Sequence, residues 1–218
     1  MSVLQEVPLV RHILVVDDGS TDGMGQVVQR WAARDPRIRL LRLPVNQGKG
    51  AAMVEGARRS PSDIVLFLDA DLVGLKPHQV EALIWPVLHN EADMTVGLFQ
   101  GGRFHTDWSH LLTPFLSGQR CLRWSLFART PGLAEAGWGA EIAFHLHATQ
   151  EHLRLQKVPL EGVTQVTKEE KAEFPAAARA RARMYGHILR YVASFAVAVL
   201  VGYEVLGRLR ARWDRKRA

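Results

Sequence analysis

The sequence predicts an α/β domain with a mixed, mostly parallel sheet flanked by helices. Three short apolar runs bounded by turn residues, His12–Val16, Ile38–Leu43 and Ile64–Leu68, indicate strands that are buried on both faces. Two segments with helical spacing, Gln26–Ala33 and Gly50–Arg59, lie between these runs. Alternation of strand and helix in this order is typical of a sheet whose strands run largely parallel.

The following part of the chain continues this alternation less regularly. Pro77–Leu88 is predicted to form a helix, Met94–Phe99 a strand, and Val158–Val166 a last strand or extended segment. Residues 100–139 mix glycine and proline with apolar stretches, which indicates short helices and loops over one end of the sheet. At the start of the chain, Val3–Val10 has the character of the end of a helix.

The positive charge of the chain is concentrated near its C-terminus. The net charge is +6, but the residues from Arg179 onward contain ten Lys or Arg against two acids, so the preceding part is close to neutral. A neutral body argues against a nucleic-acid groove across the main domain. The single cysteine, Cys121, excludes an intramolecular disulfide framework and fits a reducing compartment. The first residues do not have the pattern of a secretory signal, so we expect a cytoplasmic protein.

We expect one domain over residues 1–174 and a helical tail over residues 175–218. Within the tail, Tyr191–Tyr203 is apolar apart from a serine and a glycine, and arginines flank it on both sides. This run is shorter than the roughly 20 residues of a spanning helix, and it predicts a helix on the anionic inner face of the cell membrane. Packing against the domain or a sister subunit, and spanning by Ile188–Leu209 with Glu204 paired, remain alternatives.

Pairs of acidic residues follow the first and the third predicted strands. Asp17 and Asp18 open a turn, and ligands of open α/β sheets bind beyond the carboxyl ends of the strands. Asp69 and Asp71 are two positions apart, so on an extended segment both carboxylates would face one ion. Mg²⁺ and Mn²⁺ favour such oxygen ligands and share them with substrate phosphates. A plain capped turn would explain Ser20–Asp22 but not the adjacent carboxylates.

A glycine-rich segment precedes the second predicted helix. It reads Asn46-Gln47-Gly48-Lys49-Gly50. Its backbone N–H groups could face an anion, and Lys49 would add a positive charge. The spacing is not that of a P-loop, and a plain helix start is the alternative.

Four segments in this order and spacing resemble the family 2 glycosyltransferases of the GT-A fold. They are residues 13–23, 46–52, 62–72, which include the Asp-x-Asp motif, and 137–142. The resemblance implies transfer of a sugar from a UDP- or GDP-sugar, with Mg²⁺ or Mn²⁺, to a lipid-linked, envelope or small phosphorylated acceptor. It implies Asp18 near the base, Lys49 near the ribose or diphosphate, and Glu141 as the base that activates the acceptor. The site residues expected are, for the nucleotide sugar, Asp17, Asp18, Gly19, Lys49 and Asp69; for the metal, Asp69 and Asp71; and for catalysis, Glu141 and Asp71.

Two features depart from the family pattern. Members usually begin with a nucleotide-binding strand, whereas this sequence starts at what resembles the helix after it, so we expect a truncated start. Some relatives supply a late histidine to the metal, and Gln165 stands at the corresponding place. His145, His147 and His152 are alternatives, of which the first two are expected on a helix surface or in the core.

Three other interpretations stay open. Glu141 could be an ordinary acid in the first turn of a helix, favoured by the helix dipole. A phospho-acceptor receiver domain would use Asp17, Asp18 and Asp69 to bind Mg²⁺, although no later predicted strand ends in the lysine that receivers need. The chain could also be a non-catalytic remnant of the glycosyltransferase fold that acts as a membrane-bound partner.

Overall fold

A computed structural model of the protein describes residues 1–60, 62–100 and 117–165. A short 3-10 segment, Gly137–Gly139, precedes the last described helix. The helices and strands are, in chain order, α1 (Ser2–Gln5), β1 (Ile13–Asp17), α2 (Met24–Ala32), β2 (Ile38–Arg42), α3 (Lys49–Arg58), β3 (Ile64–Phe67), β4 (Leu72–Val73), α4 (Pro77–Leu88), β5 (Met94–Gln100), β6 (Arg120–Arg123), α5 (Trp124–Arg129), α6 (Ala140–Gln150), β7 (Leu155–Glu161) and β8 (Thr164–Gln165).

The strands form a mixed set of sheets, which confirms the predicted mixed α/β fold. β1 and β2 pair in parallel, with Asp17 opposite Arg42 at their carboxyl ends. A four-stranded sheet has the order β3-β6-β5-β7, in which β6 is antiparallel to both neighbours and β5 and β7 are parallel. β4 and β8 form a short antiparallel pair. The parallel pairs place the ends of β1 and β2, and of β5 and β7, in register.

Most predicted bounds of helices and strands agree with the observed ones to within one or two residues. Two elements, the first helix and the last strand, differ more. The first helix ends at Gln5 rather than at Val10, because turns follow it and bury Val7 completely. The last predicted strand starts earlier, at Leu155, and a turn at Gly162 divides it into β7 and β8. Gly162 has a φ of +69°, a conformation that interrupts a strand and that glycine adopts without strain.

The prediction of only short helices and loops in residues 100–139 was wrong at β6. Arg120–Arg123 forms an inner strand of the four-stranded sheet, and the short helix α5 follows directly. Arginines occupy both ends of this strand, so no apolar run marks it in the sequence. Residues 101–116 lie outside the described part of the chain.

Apolar clusters cover both faces of the four-stranded sheet. Successive side chains of a strand point to opposite faces, and Cys121 and Leu122 of β6 accordingly belong to different clusters. Burial raises the pKa of the Cys121 thiol to about 12, so it stays protonated and apolar in character. The three strands predicted to be buried on both faces are only partly buried: β1 and β3 are mostly half-buried, and β2 has two exposed arginines, since β1 and β2 form a two-stranded sheet and β3 lies at the edge of the described four-stranded sheet.

The predicted tail over residues 175–218 lies outside the described residues, and its membrane association stays a prediction. In the described ranges, none of the helices combines the length and the apolar character that crossing a bilayer requires.

Candidate active site

Lys49 joins two carboxylates that come from distant parts of the chain. Its Nζ lies 2.7 Å from Asp69 Oδ1 and 2.5 Å from Glu141 Oε1. Lys49 is the first residue of α3, Asp69 lies just after β3, and Glu141 is in the first turn of α6. The side chain of Glu141 is 8% exposed, whereas those of Lys49 and Asp69 are 22% and 20% exposed. The cluster is therefore partly buried, with its lysine and Asp69 closer to solvent.

The charge on Lys49 is stabilised by this arrangement. Burial alone would lower the pKa of its ammonium group, but the negative charges of Glu141 and Asp69 outweigh burial and raise the pKa. Lys49 is therefore a fixed positive charge between two acids over the physiological pH range.

Two glycines allow α3 to begin close to the segment that carries Glu141. A Cβ atom on Gly50 would lie only 2.1 Å from the carbonyl oxygen of Leu133. Gly48 has a φ of +92° and approaches Gly137, where an added Cβ would lie 3.5 Å from Cα. The absence of a side chain at Gly50 lets the start of α3 pack closely, and the positive φ of Gly48 suits glycine, so that Lys49 is brought to Glu141.

Besides Lys49, two further side chains donate hydrogen bonds to Asp69. Its Oδ1 accepts from Lys49, and its Oδ2 accepts from Gln165 Nε2 at 2.7 Å and from Gln119 Nε2 at 3.1 Å. The backbone N–H of Asp69 donates to Gln119 Oε1 at 3.1 Å. A Cβ on Gly118 would lie 2.5 Å from Oδ2. Gln165, which the family resemblance suggested as the counterpart of a metal-binding histidine, thus contacts Asp69.

The structure corrects the geometry assumed for Asp71. Ala70 and Asp71 form a turn between β3 and β4, so the rule that alternate residues of an extended segment face the same side does not apply. Asp71 is half-buried and lies two residues after Asp69 at the same end of β3.

Asp17 and Arg42 form an ion pair at the ends of β1 and β2. Asp17 is 1% exposed, and its Oδ2 accepts from Arg42 Nε at 3.2 Å. Its Oδ1 accepts from the backbone N–H of Ser20 at 2.8 Å, and this bond is the main cause that lowers the pKa of Asp17. These bonds give Asp17 a structural role in the turn; contact with a nucleotide stays a prediction.

Asp18 binds the glycine-rich segment that precedes Lys49. Its Oδ1 accepts from the backbone N–H of Gln47 at 2.7 Å, and its Oδ2 from that of Gly48 at 2.8 Å. These amides were predicted to face a bound anion, and in the structure the anion that they face is Asp18. Gly19, with a φ of +74°, follows so closely that an added Cβ would lie 2.8 Å from the nitrogen of Asn46. Asp18 and Gly19 therefore fix the loop that positions Lys49.

These bonds also bear on the receiver hypothesis, which needs three carboxylates around one ion. Asp17 is turned toward Arg42, Asp18 toward the amides of its neighbouring loop, and Asp69 toward Lys49. The described contacts therefore favour separate roles for the three acids.

The histidines lie as expected, on or near α6. His145 is half-buried, and His147 is buried with an Nε2 atom that has no hydrogen-bond partner among the described residues. Burial lowers the pKa of both imidazoles. His152 follows the end of α6 with a φ of +51°.

Sequence reasoning missed Gly118, Gln119 and Arg120, which lie in the region interpreted as loops. Arg120 is fully buried, with its guanidinium 5.7 Å from the ring centroid of Phe144. Burial lowers the pKa of Arg120 to about 10, and the negative charge of Glu141 partly offsets this effect. Glu141 thus has two cations in its surroundings. Of these three residues, only the glycine at position 118 could have indicated from sequence that other side chains approach the backbone closely.

The residues present fit a divalent ion that is shared with a substrate. In the described ranges, no three or more His, Cys, Asp or Glu side chains gather as a site for a metal. Mg²⁺ is commonly held by one or two carboxylates together with substrate phosphates, and a site of that kind needs no larger cluster. Asp69 and Asp71 supply two carboxylates at one strand end, beside a lysine that suits a diphosphate.

Solved structures of similar fold contain such ligands. The crystal structure of glucosyl-3-phosphoglycerate synthase from Mycobacterium tuberculosis, in complex with Mn²⁺, UDP and glucosyl-3-phosphoglycerate, has a TM-score of 0.64 and 22% identity. The similarity covers 87% of this chain and 73% of that chain. The complex of the same enzyme with phosphoglyceric acid has a TM-score of 0.59 and 25% identity, over 76% of this chain and 66% of that one. These similarities confirm the GT-A fold.

Sequence relatives are glycosyltransferases as well. A dolichyl-phosphate beta-glucosyltransferase of Trichomonas vaginalis is 46% identical over 60 residues, 28% of this chain and 18% of that protein. The glucosyl-3-phosphoglycerate synthase of Mycobacterium tuberculosis is 34% identical over 99 residues, 42% of this chain and 29% of that protein. The chain thus spans less than a third of the length of these curated relatives. The sequence model of glycosyl transferase family 2 matches residues 2–145, more than half of the chain. The protein therefore belongs to glycosyl transferase family 2.

Proposed function

We propose that the protein transfers a sugar from a nucleoside diphosphate sugar, a UDP- or GDP-sugar, to an acceptor with the help of Mg²⁺ or Mn²⁺. The observation that carries this proposal is the contact of Lys49 with both Asp69 and Glu141. This contact brings three groups together in one cluster: a cation that could bind a diphosphate, a carboxylate that could bind a metal, and a carboxylate that could activate an acceptor.

Lys49 is the group proposed to bind the donor diphosphate. Its ammonium group is only partly buried, and its two present partners are carboxylates, whose oxygens phosphate oxygens can replace. Asp69 and Asp71 would hold the metal, which when bound neutralises the charge that gathers on the leaving diphosphate. Asp18 and Gly19 would contribute to binding of the nucleotide sugar by fixing the loop that precedes Lys49.

Glu141 is proposed to accept the proton of the acceptor as the new bond to the sugar forms. A base must lie within hydrogen-bond reach of the proton that it removes, and Glu141 is the described carboxylate that shares Lys49 with Asp69. Diphosphate oxygens that bind Lys49 would compete with Glu141 for its ammonium group. Donor binding would in this way release Glu141 for proton transfer.

The acceptor is proposed to be a lipid-linked or small phosphorylated molecule. Two relatives support this class, since one is named for dolichyl phosphate and the other was crystallised with phosphoglyceric acid. The basic and apolar tail predicted over residues 175–218 would suit an acceptor at the inner face of the cell membrane.

The proposal is tested by measuring binding and transfer separately. Calorimetry with UDP-glucose and GDP-mannose, with and without Mn²⁺, should detect metal-dependent binding of one donor. Transfer is then followed with that donor and with dolichyl phosphate or phosphoglyceric acid as acceptor. Glu141→Gln should keep donor binding and slow transfer about 100- to 10,000-fold, the usual range for loss of a general base.

Glu135→Gln is the matched control, because Glu135 is an exposed glutamate of the same region. It should transfer at the wild-type rate. Absence of metal-dependent binding of either donor would contradict the proposal. Donor binding without transfer or donor hydrolysis would instead support the hypothesis of a non-catalytic member of the fold.

A further inference from the structure

Gln119 holds Asp69 by two hydrogen bonds of opposite direction. Its Oε1 accepts from the backbone N–H of Asp69, and its Nε2 donates to Asp69 Oδ2, each at 3.1 Å. Because a backbone N–H can only donate and a carboxylate can only accept, the two bonds fix which end of the amide faces which group. Neither a glutamate nor an apolar side chain could make both bonds.

The backbone of Gln119 is itself anchored to the sheet. Gln119 is completely buried, and its carbonyl oxygen accepts from the N–H of Gly97 in β5 at 2.8 Å. Ser117 Oγ donates to the carbonyl oxygen of Gly97 at 2.5 Å and lies 3.3 Å from the nitrogen of Gln119. The backbone of Gln119 is thus fixed to strand β5.

Gly118 leaves the space that Asp69 and Lys49 occupy. A Cβ atom at this position would lie 2.5 Å from Asp69 Oδ2 and 2.6 Å from Lys49 Nζ. Both distances are far below a van der Waals contact, so any side chain at position 118 would displace these two groups.

The two oxygens of Asp69 therefore differ in their surroundings. Oδ2 accepts from the amides of Gln119 and Gln165, whereas Oδ1 accepts from Lys49. Gln119 is the buried member of this set, and Lys49 and Gln165 lie closer to solvent. An incoming ligand can reach Lys49 and Gln165, the hydrogen-bond donors nearer to solvent, whereas the hydrogen bond from Gln119 to Asp69 stays inside the protein.

We propose that Gln119 is a positioning residue: it fixes the Asp69 carboxylate and directs its Oδ1 atom toward a bound metal or nucleotide sugar. The space left by Gly118 allows the carboxylate to take this position. This inference rests on the proposed function, since it assigns a task within the same site. Partners of metal ligands of this kind commonly change metal affinity when they are removed.

The test compares Gln119→Met with Gln79→Met in the full chain. Methionine has a similar length and can make neither bond. Binding of UDP and of GDP is measured by calorimetry over a series of Mn²⁺ concentrations. Gln119→Met should raise the Mn²⁺ concentration needed for half-maximal nucleotide binding about 10- to 100-fold. Metal-independent nucleotide binding should change much less.

Gln79 is a matched control because its amide performs a similar task away from the site. Gln79 is buried, its Oε1 accepts from the N–H of Lys76, and its Nε2 donates to the carbonyl oxygen of Glu161. Gln79→Met should lower the melting temperature, as loss of buried hydrogen bonds does, without changing the Mn²⁺ dependence. A purely structural role of Gln119 would give the same result for both variants.

Gly118→Ala provides a second test if Gln119→Met does not fold. The atoms that its Cβ would meet first belong to the side chains of Asp69 and Lys49 and not to the backbone, so the fold should persist while these two groups shift. It should weaken Mn²⁺-dependent binding by a similar factor.

The outcomes separate the two proposals. Wild-type protein without Mn²⁺-dependent nucleotide binding would overturn the proposed function and this inference with it. Wild-type binding that is retained in folded Gln119→Met, or in Gly118→Ala where the first variant is unfolded, would overturn the positioning role alone.

Discussion

The carboxyl ends of β1 and β3 both carry acids, but the acids bond to different kinds of partner. At β1, Asp18 accepts from two backbone N–H groups, and Asp17 from the Ser20 N–H and from Arg42. At β3, Asp69 accepts from the side chains of Lys49, Gln119 and Gln165. Three of the four bonds at β1 come from backbone N–H groups and hold turns in shape, whereas all three donors to the Asp69 carboxylate are side chains, of which Lys49 can exchange one anion for another. We therefore expect the β1 end to support the loops and the β3 end to bind a ligand, while contact of Asp17, Asp18 and Gly19 with the nucleotide sugar stays a prediction.

The largest expected effect comes from removing the charge that connects the two acids of the cluster. Lys49→Met leaves Asp69 and Glu141 without their shared cation and deprives a diphosphate of its partner. Losing one member of a buried, hydrogen-bonded charge pair at a binding site costs about 2–5 kcal/mol, and for the partly buried Lys49 we expect the lower end, about 2 kcal/mol or about 30-fold in affinity. Calorimetry with UDP and GDP in Mn²⁺ should show this loss.

Lys157→Met is the control for that experiment, since Lys157 is an exposed lysine of β7. It should bind nucleotide as the wild type does. Equal nucleotide affinity of Lys49→Met and the wild type would mean that Lys49 only links Asp69 and Glu141. It would contradict the expectation that the β3 end binds the ligand through Lys49.

A smaller effect, on stability, is expected at the β1 end. Asp18→Ala leaves the N–H groups of Gln47 and Gly48 without their acceptor, and because both groups can then bind water, the cost is about 0.5–1.5 kcal/mol. For a chain of this size, each kcal/mol lowers the melting temperature by about 2–4 °C. Thermal unfolding should show this decrease, beside an exposed control, Asp63→Ala. A larger effect on nucleotide affinity than that of Lys49→Met would indicate direct contact of Asp18 with the ligand.

The smallest effect concerns the dependence of stability on pH. The N–H of Ser20 lowers the pKa of Asp17 in the folded protein, so the charged form stabilises the fold above the unfolded pKa of about 3.9. This contribution is lost as the pH falls through the lower, folded pKa. Urea unfolding between pH 7 and pH 3 should therefore show a shallower acid decline for Asp17→Asn than for the wild type. Parallel curves would show that Asp17 contributes nothing to the decline.

The parts of the fold with a regular apolar pattern could be predicted from the sequence, and β6 could not. β3 is a continuous apolar run, β1 is apolar up to Asp17, β2 is apolar apart from Arg39 and Arg42, and α4 was predicted with its observed bounds. β6 begins and ends with arginine, and its burial depends on packing that only the folded sheet provides.

The site shows the same division. Asp69, Lys49 and Glu141 were predicted as site residues, and the structure places them in one cluster. Gln119 could not be found, because its task depends on two bonds to a residue 50 positions away. The carboxylate of Asp18 was predicted to face a nucleotide, but sequence could not show that the adjacent loop supplies two donors to it.

The most direct test of this account is to measure Mn²⁺-dependent binding of UDP and GDP by Asp69→Asn and Asp17→Asn side by side, together with their melting temperatures. We expect Asp69→Asn to lose the Mn²⁺ dependence while the protein stays folded. We expect Asp17→Asn to melt at a lower temperature and to keep Mn²⁺-dependent binding. Metal-dependent binding that persists in Asp69→Asn, or disappears in folded Asp17→Asn, would contradict the assignment of the ligand site to the β3 end.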